Sequence, residues 1–182
     1  MRVRTAVLAA LIFVGACTST PAPAPTPEAL TAKVQGSLAQ VMRGILFPNS
    51  NIIFDAQDKD PGAPPDPKAS AAAGPYAGTY GGWEGVENAS LALAEAANLA
   101  ALPGRSCQNG KPVPLNDEVY QKGLTGLRAV AMESYKAAQA KKLDAFLDVA
   151  DKLTQACATC HDVYRDKIVD GKPIGIADRC VK

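Results

Sequence analysis

Apolar residues recur at three- and four-residue steps in four stretches of this chain, and each stretch predicts an amphipathic helix. The first begins near Glu28 and carries Leu30, Val34, Leu38, Val41, Met42 and Ile45 on one stripe. Pro48 predicts a kink, after which Ile52, Ile53 and Ala56 continue the stripe to about Gln57. The second helix is expected from about Trp83 to Ala101, where Pro103-Gly104 stop it. The third opens with Asn116 as N-cap and Asp117 and Glu118 in its first turn. Val119, Leu124, Leu127, Ala131, Tyr135 and Ala138 form its apolar face, and Lys141 and Lys142 follow where the helix dipole favours cations. A very short link leads to the fourth helix, from about Leu143 to Ile168. Its face holds Leu143, Leu147, Ala150, Leu153, Cys157, Cys160, His161 and Tyr164.

The connections set the fold class. Residues 58–82 are rich in proline and glycine and are long for a structureless link. They read either as a cover over a site or as a loose insertion, the insertion being preferred. The other two connections are short, which favours an all-α fold, an antiparallel up-down-up-down four-helix bundle. In that topology the link between helices two and three lies at the same end as the close of helix four and the start of helix one.

The N-terminus is organised differently. Arg2 and Arg4 precede the apolar run Ala6 to Val14, which is too short to span a bilayer permanently and reads as an export leader over residues 1–16. Val14-Gly15-Ala16-Cys17 resembles a bacterial lipobox, which makes Cys17 the lipid-modified first residue of the mature chain. Several acyl chains would hold it firmly to a membrane. Residues 17–27, with proline at every second position from 21 to 27, form an extended tether, and residues 28–182 form one domain. The expected location is the periplasm, on a lipid anchor.

Export changes the reading of the cysteines. Of five, Cys107 and Cys180 stand apart from any motif, and an oxidising compartment pairs them as a disulfide. Closing a loop of that length contributes roughly 4 kcal/mol in the chain-entropy model. The proposed topology brings both to one end of the bundle. Charge is nearly balanced: Lys and Arg total 19 and Asp and Glu 18, so loss of Arg2 and Arg4 leaves one excess acid. No basic stripe with interleaved aromatics is present, which argues against nucleic acid as a partner. Aromatics are only 5% of residues and alanine is abundant, which suits close-packed helices around a large prosthetic group.

The chemistry concentrates in Cys157-Ala158-Thr159-Cys160-His161, which contains the only histidine of the chain. C-x-x-C-H is the attachment signature of covalent haem c. Two thiols add across the two vinyl groups of the haem, the two intervening residues match their separation, and the histidine lies beneath the iron. The competing readings are a redox dithiol and part of a zinc site. A dithiol gains reactivity at a helix N-terminus, whereas this motif lies deep in a helical pattern. A zinc site needs about four ligands, and Cys157, Cys160 and His161 supply three.

The run Cys157-x-x-Cys160-His161-x-x-Tyr164-Arg165, near the end of the last of four helices, resembles the class II c-type cytochromes: cytochrome c′ and its low-spin relatives. The long loop and the disulfide depart from the simplest members. The resemblance implies that Arg165 lies near the proximal haem face; otherwise it forms a solvated ion pair with Asp162. Tyr164 reads as core packing. The resemblance also carries the expectation of a homodimer, although no exposed apolar stripe marks an interface.

Function then turns on the sixth iron position. The candidates are Met42 and, less favoured, Met132. Met42-Arg43 is similar to the Met-Lys pair of the low-spin relatives, which makes His161 and Met42 the preferred axial pair and the protein a carrier of single electrons to unidentified redox partner proteins. Alternatively Leu38, one turn earlier, covers an open site as in cytochrome c′, and the iron binds diatomic gas such as nitric oxide. A third reading is a structural lipoprotein without haem. No carboxylate pair or nucleophile–base constellation stands out, so no enzymatic activity is expected.

Overall fold

The computed structural model describes residues 32–64 and 81–181. The expected leader over residues 1–16, the expected lipid site Cys17, the expected tether, and residues 65–80 of the long loop lie outside the described residues. What is described is mostly helical, with one two-stranded ribbon. No helix among the described residues is long and apolar enough to cross a membrane.

The first helical run is shorter than its periodicity predicts. Helix α1, Leu38–Val41, starts ten residues after Glu28, and Val34 stands in irregular chain before it. The cause is a capping box. The side chain of Ser37 accepts from the Gln40 N–H at 3.3 Å, and Gln40 Oε1 accepts from the Ser37 N–H at 2.8 Å. The approach to this cap is bound elsewhere: buried Arg105 donates to Gly36 O, and Leu38 N–H donates to Ser106 O. Those backbone groups are therefore unavailable for an earlier turn.

Pro48 does not break the run. A π-helical segment, Met42–Leu46, precedes it, closed by the Phe47 N–H donating to Met42 O, and α2, Phe47–Asp55, follows with proline in its first turn. The extra residue shifts the hydrogen-bond ladder just ahead of the position where proline lacks a donor. Asn49 Nδ2 donates to Ile45 O at 2.7 Å and Ser50 Oγ to Phe47 O at 3.0 Å, serving carbonyls on this turn.

Helix α3, Gly82–Ala100, and helix α4, Glu118–Gln139, lie close to their expected bounds. The N-cap of α4 is Asp117 rather than Asn116: its carboxylate accepts from Val119 N–H at 2.9 Å and Tyr120 N–H at 3.4 Å. At the start of α3, Gly82 has φ +60°, and a Cβ there would strike Pro61 O. The described stem of the long loop thus closes against α3.

Helix α5, Leu143–Tyr164, stops four residues before Ile168. Val169-Asp170-Gly171-Lys172 explains the stop. Asp170 and Gly171 both adopt positive φ, 51° and 76°, as a two-residue hairpin turn requires. They join β1, Ile168–Val169, to antiparallel β2, Lys172–Pro173, and a 3-10 turn at Ile176–Asp178 follows. The inward face of α5 holds Ala150, Leu153 and Tyr164 as expected, but its first two turns bury a neighbouring face. Phe146 and Val149 are buried while Leu143 and Leu147 are only half-buried.

Packing joins α2 and the π segment to α3, α3 to α4, and α4 to α5. The main core gathers Ile53, Leu93, Ala97, Leu127, Ala131, Phe146 and Leu153, with Trp83 edge-on to Phe146 at 5.8 Å. Ser90 and Ser134 cross this core fully buried. Their hydroxyls are 2.7 Å apart, and Ser90 also donates to Val86 O, so neither is left unpaired. A second cluster, with Leu38, Tyr120, Leu124 and Tyr164, gathers Cys107, Cys160 and Cys180, while Cys157 packs against the main core.

Candidate functional site

Residues three and four apart share one face of a helix. Cys157, Cys160 and His161 therefore project together from the last two turns of α5, and all three line a cavity of about 290 Å³. Its opposite wall is the first helical run. There Leu38, Met42, Leu46 and Ser50 line it at steps of four. A straight α-helix drifts about 40° with each such step. The wide π turn, Met42–Leu46, offsets part of that drift, and Ala39, Arg43 and Phe47 beside these positions line the cavity too. Leu93, Leu124 and Leu127 complete an apolar interior.

Helix α4 closes against the motif at a glycine. A Cβ at Gly123 would clash with the Cys160 sulfur, so Gly123 permits the close approach. This residue was missed by the sequence reading, because an isolated glycine in a helical pattern carries no sign of what faces it. Tyr164 anchors the end of the motif helix. Its hydroxyl donates to Asp117 at 2.5 Å, its ring meets Tyr120 edge-on at 6.0 Å, and its carbonyl accepts from Cys180 N–H at 3.0 Å. Burial and the Asp117 bond push its ionisation well above the usual phenol range.

The electrostatics favour neutral donors. Burial raises the Cys157 thiol and, with Cys157 adding to the effect, pushes Cys160 up to about 11. Both are thiols at neutral pH, the opposite of an activated redox dithiol. Burial lowers the His161 pKa and Arg165 lowers it further, so the ring is neutral with a lone pair to give. Arg165 Nη1 lies 3.4 Å from His161 Nε2. The ion pair of Arg165 is with Asp166, held by Nε and Nη2 at 2.5–2.9 Å, and not with Asp162 as the helix spacing suggested. Arg165 also lines the cavity.

Cys107 and Cys180 are joined as a disulfide with Cα atoms 6.5 Å apart, closing 73 residues of sequence separation on the rim of the same cavity. The C-terminal strap is tied down around it. Asn109 Nδ2 donates to Ala177 O and Arg179 O, and Lys111 Nζ to Ala177 O. The structure therefore brings together Cys157, Cys160, His161, Met42, Arg165 and the disulfide. Leu38 lines the cavity beside Met42. Met132 packs against the main core and does not line the cavity.

The donor set can be tested against a haem. Among the described residues no group of three or more His, Cys, Asp or Glu is placed to hold a bare metal ion. A porphyrin supplies four of its iron's donors, so it asks the protein only for axial groups and anchoring thiols. A neutral imidazole, two half-buried thiols on its helix face and a thioether across an apolar cavity match those requirements. Comparison with protein-family models, curated proteins and solved structures found no match.

Proposed function

We propose that this chain is a class II c-type cytochrome: an antiparallel four-helix bundle with one covalent haem c, anchored in the periplasm by lipid on Cys17 and carrying single electrons. The observation that carries the reading is the convergence of Cys157, Cys160, His161 and Met42 on one apolar cavity. When bound, the haem supplies a one-electron iron couple.

The residues of the chain do the rest. Cys157 and Cys160 fix the group covalently, so it is retained through every cycle. His161 would offer its Nε2 lone pair to the iron, and Arg165, 3.4 Å from that nitrogen, would yield the contact. Met42 offers a thioether from the far wall, which favours the reduced iron and raises the potential. Leu46, Leu93, Leu124 and Leu127 line the cavity and would keep water from the iron, limiting rearrangement between oxidation states. Redox partner proteins meet this site from outside. A homodimer is part of the proposal by resemblance alone.

One observation favours a second reading. Leu38 stands on the same wall one turn from Met42, and an apolar lid over an open iron would make a binder of nitric oxide. Carbon monoxide separates the two. With Met42 as ligand, the ferrous wild type is low-spin and binds carbon monoxide slowly, while Met42→Ala is high-spin and binds it fast. Fast binding by the wild type gives the site to gas binding. A colourless mature protein leaves the structural lipoprotein.

A further inference from the structure

The cavity has an apolar interior and a cationic rim. Arg43, Arg165 and Arg179 line it, and no Asp or Glu does. Arg165 is already held by Asp166. Arg43 and Arg179 are different. Both donate to the same neutral acceptor, Gln108 Oε1, at 3.2 and 3.5 Å. Among the described residues the direct ion pairs are Lys152–Glu133 and Arg165–Asp166; Arg43 is in neither, and Arg179 acts on Asp166 only at longer range, its charge helping to lower that carboxyl. Arg179 Nε is buried with no acceptor at all. A buried donor on a charged group is costly to leave unmet. A planar guanidinium fork is matched best by a carboxylate.

The three residues reach this spot from distant parts of the chain. Arg43 follows Met42 on the π segment. Gln108 follows Cys107, and Arg179 precedes Cys180, so the disulfide holds Gln108 and Arg179 side by side. The rim therefore combines two cations without a direct ion pair, one polar bridge and a covalent pin at the mouth of an apolar slot. That combination fits a flat apolar ligand bearing carboxylates on one edge.

We propose that Arg43, Gln108 and Arg179 form a carboxylate clamp that receives the two propionates of the porphyrin, with the Cys107–Cys180 disulfide holding it in place. This rests on the haem reading. It adds an orientation: the propionate edge faces the C-terminal strap. It also gives the disulfide a role in the site beyond stability.

The test uses the full chain with Cys157→Ser and Cys160→Ser, which stays unloaded and leaves the Cys107–Cys180 disulfide intact. Its affinity is measured for ferric protoporphyrin IX and for the dimethyl ester of the same porphyrin, with circular dichroism confirming the helices. The clamp predicts at least tenfold tighter binding of the diacid, and loss of that preference when Arg43→Gln and Arg179→Gln are added. Equal binding of acid and ester overturns the clamp and leaves the haem reading standing. A preference that survives both glutamine substitutions also overturns it. Binding of neither porphyrin removes the haem reading and the clamp together.

If the unloaded chain is not helical, the haem-loaded protein answers instead. Arg179→Gln should then lower the midpoint potential by the equivalent of about a tenfold change in the reduction equilibrium, 59 mV for one electron. Arg179→Lys should recover the potential, while the resonance Raman bending band of the propionates stays shifted because the fork is gone. An Arg179→Gln protein with the wild-type potential and band overturns the clamp.

Discussion

Substituting Gly123 by alanine probes the tightest wall of the site. In an exposed helix interior, Gly→Ala stabilises by about 1 kcal/mol, because alanine has less backbone freedom to lose. At Gly123 the new methyl would lie far inside contact distance of the Cys160 sulfur, with the Cys160 Cβ 3.6 Å away. The sulfur must leave its position or α4 and α5 must part. Overpacking of this kind costs about 1–3 kcal/mol, which cancels or reverses the helix-propensity gain. Gly126 lies three residues further along the same helix, and a Cβ there meets nothing within 4 Å. It keeps the full gain. The two alanine variants of the unloaded chain should therefore differ by about 1–3 kcal/mol, with Gly126→Ala the more stable. In urea, with an m-value of about 2 kcal/mol per molar, that is roughly 0.5–1.5 M between midpoints. Covalent attachment draws the sulfur towards the porphyrin, so the gap should narrow in the loaded protein. Equal midpoints for the two unloaded variants would refute the close contact between α4 and the motif.

Three further outcomes follow from the same contacts. Replacing Cys107 and Cys180 together by serine should cost about 4 kcal/mol in the entropy model, read as a lowered thermal midpoint, with no change in covalent haem content. Asp117→Ala removes the N-cap of α4 and the acceptor of the Tyr164 hydroxyl. A loss of about 2–4 kcal/mol is expected by urea unfolding, where a cap alone accounts for about 1. Iodoacetamide should label Cys160 of the unloaded folded chain slowly. A pKa of about 11 leaves on the order of one sulfur in a thousand as thiolate at pH 8, and the rate should keep rising with pH beyond the ordinary thiol midpoint near 8.5. A rate that levels off near pH 9 would show that the sulfur is not buried as described.

Much of this site could be read before the fold was known, for identifiable reasons. Cys157, Cys160 and His161 sit at helical spacing within a helical pattern, so their common face followed from the sequence. Cys107 and Cys180 stood outside every motif, and pairing them needed only an oxidising compartment. The parts that were misread depend on local hydrogen bonds that periodicity does not report. Val34 continues the apolar stripe, yet the Ser37–Gln40 box and the hold of Arg105 on Gly36 O start the helix at Leu38. Ile168 extends the stripe of α5, yet Asp170-Gly171 turns the chain into a ribbon. Both signals, S-x-x-Q and D-G, were present in the sequence and were outweighed by the apolar repeat. Burial of Phe146 in place of Leu143 and Leu147 reflects tertiary choice between two adjoining faces. The π segment was foreshadowed only by Pro48, which predicts a disturbance but not its form. The pairing of Cys107 with Cys180 sets Gln108 and Arg179 near each other, but nothing in the sequence puts them on the cavity rim.

The mass of the mature protein, made in a host that assembles c-type cytochromes, tests the central proposal most directly. Covalent attachment requires a denatured chain heavier than its lipidated polypeptide by one iron porphyrin, with Cys157 and Cys160 both bonded to it in the proteolytic fragment that carries the added mass. A chain with no added porphyrin and both thiols open to alkylation would contradict it.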